Sequence, residues 1–339
     1  MPKIRFDADD LSTEAASEQW LYEVCDRAGS SVPFACKAGA CGTCATEVLS
    51  GFEALGEQSA REVRTLRAQG LDPARFRLPC LCDVGGDVTF GKSPHAEGGA
   101  ALQTHEVVVE SFRPLNLTVC EVRFFVETPS FDFRPGQYMI FHLPRRSEGK
   151  VIRRSYSIST PPSDRRHFEI CVRAVAGGFG SNYIHRLRPG RRLRVEGPYG
   201  DFLLDGSGDK EILMIATGTG MSPIRSMLTH LLHHRSDRRV RLFFGVRHES
   251  DLFYTDLLRG LEAHHPSFEY RLTLSQPSAR GWSGHSGRVT DLIDSELTER
   301  DAQNTQVYLC GSQAMIESSC QKLRQLGFAD EDLFFENFY

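Results

Sequence analysis

Three cysteines fall within the nine residues CKAGACGTC (36–44), padded almost entirely with Gly, Ala and Thr. No other stretch restricts the fold as tightly, because a loop that gathers three thiols must bend sharply around whatever they hold. Gly39 and Gly42 supply backbone freedom for such bends, and with Ala38 and Ala40 they let amide groups approach sulfur closely. Of the ten cysteines, Cys25, Cys120, Cys171 and Cys320 stand singly, while Cys36, Cys41, Cys44 and the pair Cys80/Cys82 cluster. The N-terminus MPKIRFDADD lacks the apolar core of a secretory signal, so a reducing cytoplasm and free thiols are expected. No apolar run approaches the ~18 residues of a membrane span. The cluster points to a metal site.

A zinc site would want two Cys-x-x-Cys pairs, and Cys41/Cys44 offers one. Cys36, Cys41 and Cys44 instead meet the C-x4-C-x2-C spacing of plant-type [2Fe–2S] ferredoxins. Such a cluster carries net negative charge, which amide groups of a Gly/Ala-rich loop can face. Cys80 and Cys82, in RFRLPCLCDVGG, compete for the fourth position. Two residues apart, they share a face of any extended strand, so periodicity leaves both open. Residues 1–92 resemble the ferredoxin domain of bacterial oxygenase reductases, whose last ligand follows a short apolar run. That resemblance implies Cys36, Cys41, Cys44 and Cys80 as iron ligands and Cys82 as a bystander.

The rest of the chain divides in two. Residues 93–103, SPHAEGGAALQ, are small and aperiodic and read as a linker. Residues 104–205 alternate apolar and polar positions (HEVVVESF, LTVCEVRFFVE, HFEICVRAV) between Pro/Gly turns, which predicts an antiparallel sheet, in all a barrel. From 206 to 339 the pattern becomes strand, Gly turn, helix (EILMIATGTG then MSPIRSMLTHLLHH; VRLFFGVR; VYLCGS), which predicts a doubly wound parallel sheet. In the turn, Ser222 is the expected helix N-cap and Pro223 suits the first turn.

RRSYSIST (153–160) has the R-x-Y-S arrangement of the ferredoxin–NADP reductase superfamily. A guanidinium suits phosphate, a phenol ring stacks on isoalloxazine, and a hydroxyl suits flavin N5. The resemblance implies Arg154, Ser155, Tyr156 and Ser157 at an FAD, with Cys171, Val172 and Arg173 of the following strand. It also implies Gly178 and Ser181 of GGFGSNYIHRL at the pyrophosphate, and GPYGDF (197–202) as the strand and turn that close the barrel. IATGTGMSP matches the superfamily's T-G-x-G-x-x-P form, which implies Thr217, Gly218, Thr219 and Gly220 at the nicotinamide dinucleotide. LCGS places Cys310, Gly311 and Met315 in the family's Cys-Gly-x-x-x-Met stretch. The tail FFENFY resembles the family's flavin-covering aromatic end, with Phe338 fitting best and Tyr339 an alternative. Ser157, Cys310 and Glu336 are the expected groups at the reacting atoms.

The whole chain is similar to NAD(P)H-dependent reductase components of bacterial multicomponent oxygenases. The resemblance implies that electrons pass from NADH through FAD and a [2Fe–2S] cluster to a terminal oxygenase or hydroxylase, Rieske or di-iron, with or without an intermediate ferredoxin. Other readings are a reductase serving a deoxysugar dehydrase or desaturase, and a non-catalytic redox sensor. NADH is expected over NADPH because Glu249 and Asp251 follow the second parallel strand, although Arg247 and His248 stand among them. A monomer is expected. His230 and His234 have zinc-like spacing but no third ligand, and the Arg pairs lie at turns without aromatic interleaving in a chain of net charge −4, so no nucleic-acid role is expected. Residues 1–92 hold ten basic against fourteen acidic residues, 104–205 sixteen against eleven and 206–339 fourteen against eighteen. The flavin segment is the positive one, so charge is expected to seat the ferredoxin on it.

Overall fold

The computed structural model describes residues 1–34, 39, 42–94, 104–128, 131–145, 150–200, 202–205, 208–234, 238–278 and 281–338. Cys36, Cys41 and Tyr339 lie outside the described residues. Three sheets follow one another along the chain.

The first holds β1 (Lys3–Phe6), β2 (Leu11–Glu14), β3 (Thr46–Ser50), β4 (Phe76–Arg77) and β5 (Val88–Phe90), in the order β2-β1-β5-β3-β4. β1 and β5 are parallel and the other pairs antiparallel. β1 alternates exposed and buried side chains, which sends Ile4 and Phe6 inward, the latter against Phe90. Helix α1 (Leu21–Ala28) buries Leu21, Val24 and Cys25 at i, i+3 and i+4 and ends on Gly29 in the left-handed conformation. Helix α2 (Ala60–Ala68) begins at Ser59, whose hydroxyl accepts the Glu62 amide at 3.1 Å.

The second sheet holds β6 (Thr104–Pro114), β7 (Val119–Val126), β8 (Tyr138–Arg145), β9 (Lys150–Ser157), β10 (His167–Arg173) and β11 (Arg192–Tyr199), in the order β10-β7-β6-β11-β8-β9. All its pairs are antiparallel, and the bridge Ile158–Ile170 brings the two edges together as a barrel. Phe124, Phe141 and Phe168 fill its interior. Helix α3 (Phe179–His185) follows β10.

The third sheet holds β12 (Glu211–Thr217), β13 (Val240–Val246), β14 (Phe268–Leu274), β15 (His285–Ser286), β16 (Thr305–Ser312) and β17 (Leu333–Phe338). Its order is β15-β14-β13-β12-β16-β17, with every pair parallel. Ile212, Met214 and Ala216 of β12 face one core with α4 (Met221–His233) and α5 (Thr255–His264). Leu213 and Ile215 face the other, against α6 (Asp291–Glu296), α7 (Glu299–Ala302) and α8 (Gln313–Gln325). Both faces are covered, which is why β12 reads as a continuous apolar run. Strand order reverses between β12 and β16, and ligands of such sheets bind outside the carboxyl ends at that point.

One local expectation differs. The residue before α4 is Gly220, and Ser222 sits inside the helix. Its hydroxyl donates instead to the Ser157 carbonyl at 2.9 Å, tying the nucleotide helix to the barrel strand.

Candidate functional site

Around the cysteines, the thiol sulfurs of Cys44 and Cys80 lie 3.2 Å apart, both buried. The Cys82 sulfur points to the Leu78 carbonyl at 3.4 Å, and burial pushes its thiol up. Gly39 has φ +71°, and a β-carbon there would stand 2.2 Å from Leu81 Cδ1, so both conformation and space ask for glycine. Its carbonyl accepts the Thr65 hydroxyl at 2.8 Å. The segment leading to Cys80 is held by a buried pair that sequence reasoning missed. Arg77 Nε donates to Glu62 Oε1 at 2.9 Å, and the Leu78 amide donates to the same oxygen at 2.7 Å. Two buried, converging thiols on a loop of this kind suit a thiolate-bound cluster.

On the barrel, β9 carries Arg154, Ser155, Tyr156 and Ser157. The Tyr156 ring packs edge-on against Phe141 at 5.4 Å, and burial raises its phenol. The Ser155 hydroxyl oxygen is buried without a hydrogen-bond partner among the described residues, an acceptor or donor left for something outside the chain. With Arg154 exposed beside it, this surface suits a flavin with its phosphates. β10 divides its three candidates by strand alternation. Val172 points into the barrel core, whereas Cys171 joins the core of the nucleotide module and Arg173 lines its cleft. The Cys171 and Arg173 side chains therefore face the nucleotide module. Gly178 precedes α3, and the Ser181 hydroxyl accepts the Val175 amide at 3.1 Å, closing that turn.

Where the barrel meets the nucleotide sheet, three expected residues from distant segments meet. The Ser157 hydroxyl donates to Glu336 Oε2 at 3.2 Å. Glu336 lies opposite Cys310 in the β16–β17 register. Cys310 is fully buried, and burial, then the Glu336 carboxylate, push its thiol well up, so the proton stays on sulfur.

Beside this seam opens a cleft of about 830 Å³ lined by Thr217, Gly218, Thr219, Arg247, Gly311, Met315 and Phe338. Its size is that of a small-molecule site. A β-carbon on Gly220 would stand 2.1 Å from the Cys310 carbonyl oxygen, so the first Gly turn and the Cys-Gly strand end touch backbone to backbone. Asp251 lines the cleft too, while its carboxylate also accepts the His248 amide at 3.1 Å. Glu249 turns elsewhere: it accepts the amide and hydroxyl of Ser278, both at 2.9 Å. Hydrogen bonds from its own backbone amide and from Ser278 hold its carboxyl below the ordinary value.

A second feature missed from sequence clamps the two modules. Arg225 of α4 reaches Glu121 at 2.9 Å and Glu169 at 2.8 Å on the barrel, and Tyr254 donates to Glu121 at 2.6 Å. Burial opposes the guanidinium's charge, but Tyr254, Glu169 and Glu121 outweigh it and raise its pKa. Burial likewise opposes the Glu121 carboxylate, and Arg225, Tyr254 and Arg113 hold it below the ordinary value. The rings of His230 and His234 lie 4.1 Å apart, tilted by 42°, and among the described residues no group of three His, Cys, Asp or Glu side chains is arranged for a metal.

Three family profiles match the chain: a 2Fe-2S iron-sulfur cluster binding domain over residues 4–85, an oxidoreductase FAD-binding domain over 105–203 and an oxidoreductase NAD-binding domain over 214–321. The chain is 30% identical over 330 residues to the phenol hydroxylase P5 protein of Acinetobacter pittii (strain PHEA-2), covering 96% of this chain and 91% of that one. It is also 30% identical over 331 residues to the reductase component DmpP of phenol 2-monooxygenase from Pseudomonas sp. (strain CF600), with the same coverage. Among solved structures, the Amycolatopsis cytochrome P450 reductase GcoB superposes with TM-score 0.68 at 23% identity, over 100% of this chain and 99% of that one, a likeness of fold.

Proposed function

The chain belongs to the family of flavin- and iron–sulfur-dependent reductase components of multicomponent oxygenases, and on that premise we propose the route and the residues of its electron transfer. Electrons enter from NADH and leave through the cluster module to a terminal oxygenase or hydroxylase, Rieske or di-iron, directly or through an intermediate ferredoxin. The chain acts as a monomer in the cytoplasm. Among the described residues no helix is long and apolar enough to cross a membrane.

The observation that carries this reading is the meeting of Ser157, Cys310 and Glu336 where barrel and nucleotide sheet join. When bound, the cofactors supply the redox chemistry, a hydride accepted by the flavin and single electrons passed to the cluster. The chain orients and shields. Arg154 would pair with the flavin phosphates and Ser155 and Tyr156 would hold the ring system, while Glu336 aims the Ser157 hydroxyl. Cys310, fully buried beside Glu336, keeps its proton and packs the junction from behind as a small apolar side chain. Thr217, Gly218, Thr219, Gly220, Gly311 and Met315 would form the dinucleotide seat, and Phe338, which lines the same cleft, would cover the flavin. Cys36, Cys41, Cys44 and Cys80 ligate iron, supported by the close approach of the Cys44 and Cys80 sulfurs.

NADH is preferred because Asp251 at the cleft wall disfavours a 2′-phosphate. Arg247 and Arg288 line the same cleft, so the preference is modest, a factor of about five in kcat/KM. Steady-state oxidation of NADH and NADPH with ferricyanide, and with cytochrome c as a one-electron acceptor, tests both points. Equal kcat/KM for the two nucleotides would remove the nucleotide preference, and absence of turnover would favour a redox sensor.

A further inference from the structure

Helix α2 stands between the cluster loop and the nucleotide sheet. Two of its side chains grip the segments that bear the cysteines. Thr65 donates to the Gly39 carbonyl inside the 36–44 loop, and Glu62, paired with the buried Arg77, accepts the Leu78 amide two residues before Cys80. Arg61, adjacent to Glu62, reaches out of the module. Its Nη2 donates to the Phe335 carbonyl at 2.9 Å, and its guanidinium lies over the Phe335 ring, 5.8 Å from the centroid. Phe335 is on β17, the edge strand of the nucleotide sheet, and the next residue is Glu336, which accepts the Ser157 hydroxyl. A continuous chain of contacts thus runs from Ser157 through Glu336, Phe335, Arg61 and Glu62 to Leu78 and Cys80.

We infer that Arg61 is a positioning residue for electron transfer within the chain: it latches α2 onto β17 and so seats the cluster module against the junction where the flavin is held. The inference rests on the flavin-to-cluster route proposed above. Edge strands present outward backbone groups, and a guanidinium satisfies such a carbonyl with a charge-assisted hydrogen bond. The contact also explains how an acidic module docks on an acidic module: the donor is a cation, and the acceptor is backbone. This differs from the seat on the barrel that module charge alone points to. One such bond on an exposed edge is readily broken, and the covalent connection to the barrel keeps the released module at high effective concentration. The same module is then free to turn to an external acceptor and return.

The test uses the full-length protein with both cofactors bound. In Arg61→Ala, flavin reduction by NADH stays within about twofold of wild type, while flavin-to-cluster transfer, followed by stopped flow, slows about tenfold. Hydrogen exchange, which needs no turnover, shows faster exchange at α2 and β17 amides. Arg61→Lys restores part of the rate, and Phe335→Ala, which keeps the carbonyl, retains most of it. Wild-type transfer and wild-type exchange in Arg61→Ala overturn the latch and leave the route intact. A wild-type cluster that NADH never reduces overturns the route instead.

Discussion

At the scale of single residues, the division between Cys80 and Cys82 is the sharpest. Both are buried and two positions apart, yet one sulfur meets Cys44 and the other a backbone carbonyl. Cys80→Ser is expected to lose the cluster, read as visible absorbance and bound iron, while keeping flavin and NADH–ferricyanide activity. Cys82→Ser is expected to keep all three, and exchanged behaviour of the two variants would overturn the ligand choice. Ser157→Ala removes a hydroxyl that Glu336 orients, and flavin reduction should slow by about a hundredfold, as for loss of one preorganised donor. An unchanged single-turnover rate would show the hydroxyl to be idle. Motif residues such as Ser157 and Cys310 stood out because each sits in a short run that resembles the family's, and the structure brings both to the seam with Glu336. Arg61, Arg77 and Arg225 did not stand out, because their partners lie 274, 15 and 104 positions away or at equivalent remove, and no local period marks such pairs.

At the scale of elements, apolar runs and Gly turns made the parallel strands legible, and alternation did the same for the barrel. The pattern misassigned Ser222, since a serine before a helical run reads as a cap whether or not the helix has already begun. What it served was the join between α4 and β9. Gly220 shows a related limit: the sequence marks it as a turn residue, but its constraint comes from the Cys310 backbone. Gly220→Ala should force the two backbones apart, cost about 1–3 kcal/mol and weaken nucleotide binding. A thermal midpoint equal to wild type would contradict this. The Arg225 clamp carries a pH signature. Glu121 is held below its ordinary value of 4.5, so its contribution is complete above that value and is lost as pH falls through the lowered one. Glu121→Gln should therefore be less stable than wild type by about 2 kcal/mol at neutral pH, with the gap closing as pH falls from 4.5 through the lowered value. A gap of constant size across that range would exclude the ion pair as its source.

At the scale of the whole molecule, three modules in series are arranged so that one strand, β17, serves several sites. Phe335 meets the cluster module, Glu336 meets the barrel, and Phe338 lines the nucleotide cleft. The module order was legible from composition and motif sequence. The seat of the first module was not, because net charge says nothing of which face a charge occupies. On the route proposed above, electrons pass within the chain from nicotinamide to flavin to cluster. Anaerobic stopped-flow mixing with NADH, followed at flavin and cluster wavelengths, tests it most directly. The expected record is flavin bleaching first and cluster bleaching after it, at a rate independent of protein concentration. In Cys80→Ser the first phase should remain and the second vanish. Cluster bleaching that precedes the flavin phase, or that scales with protein concentration, would contradict the account.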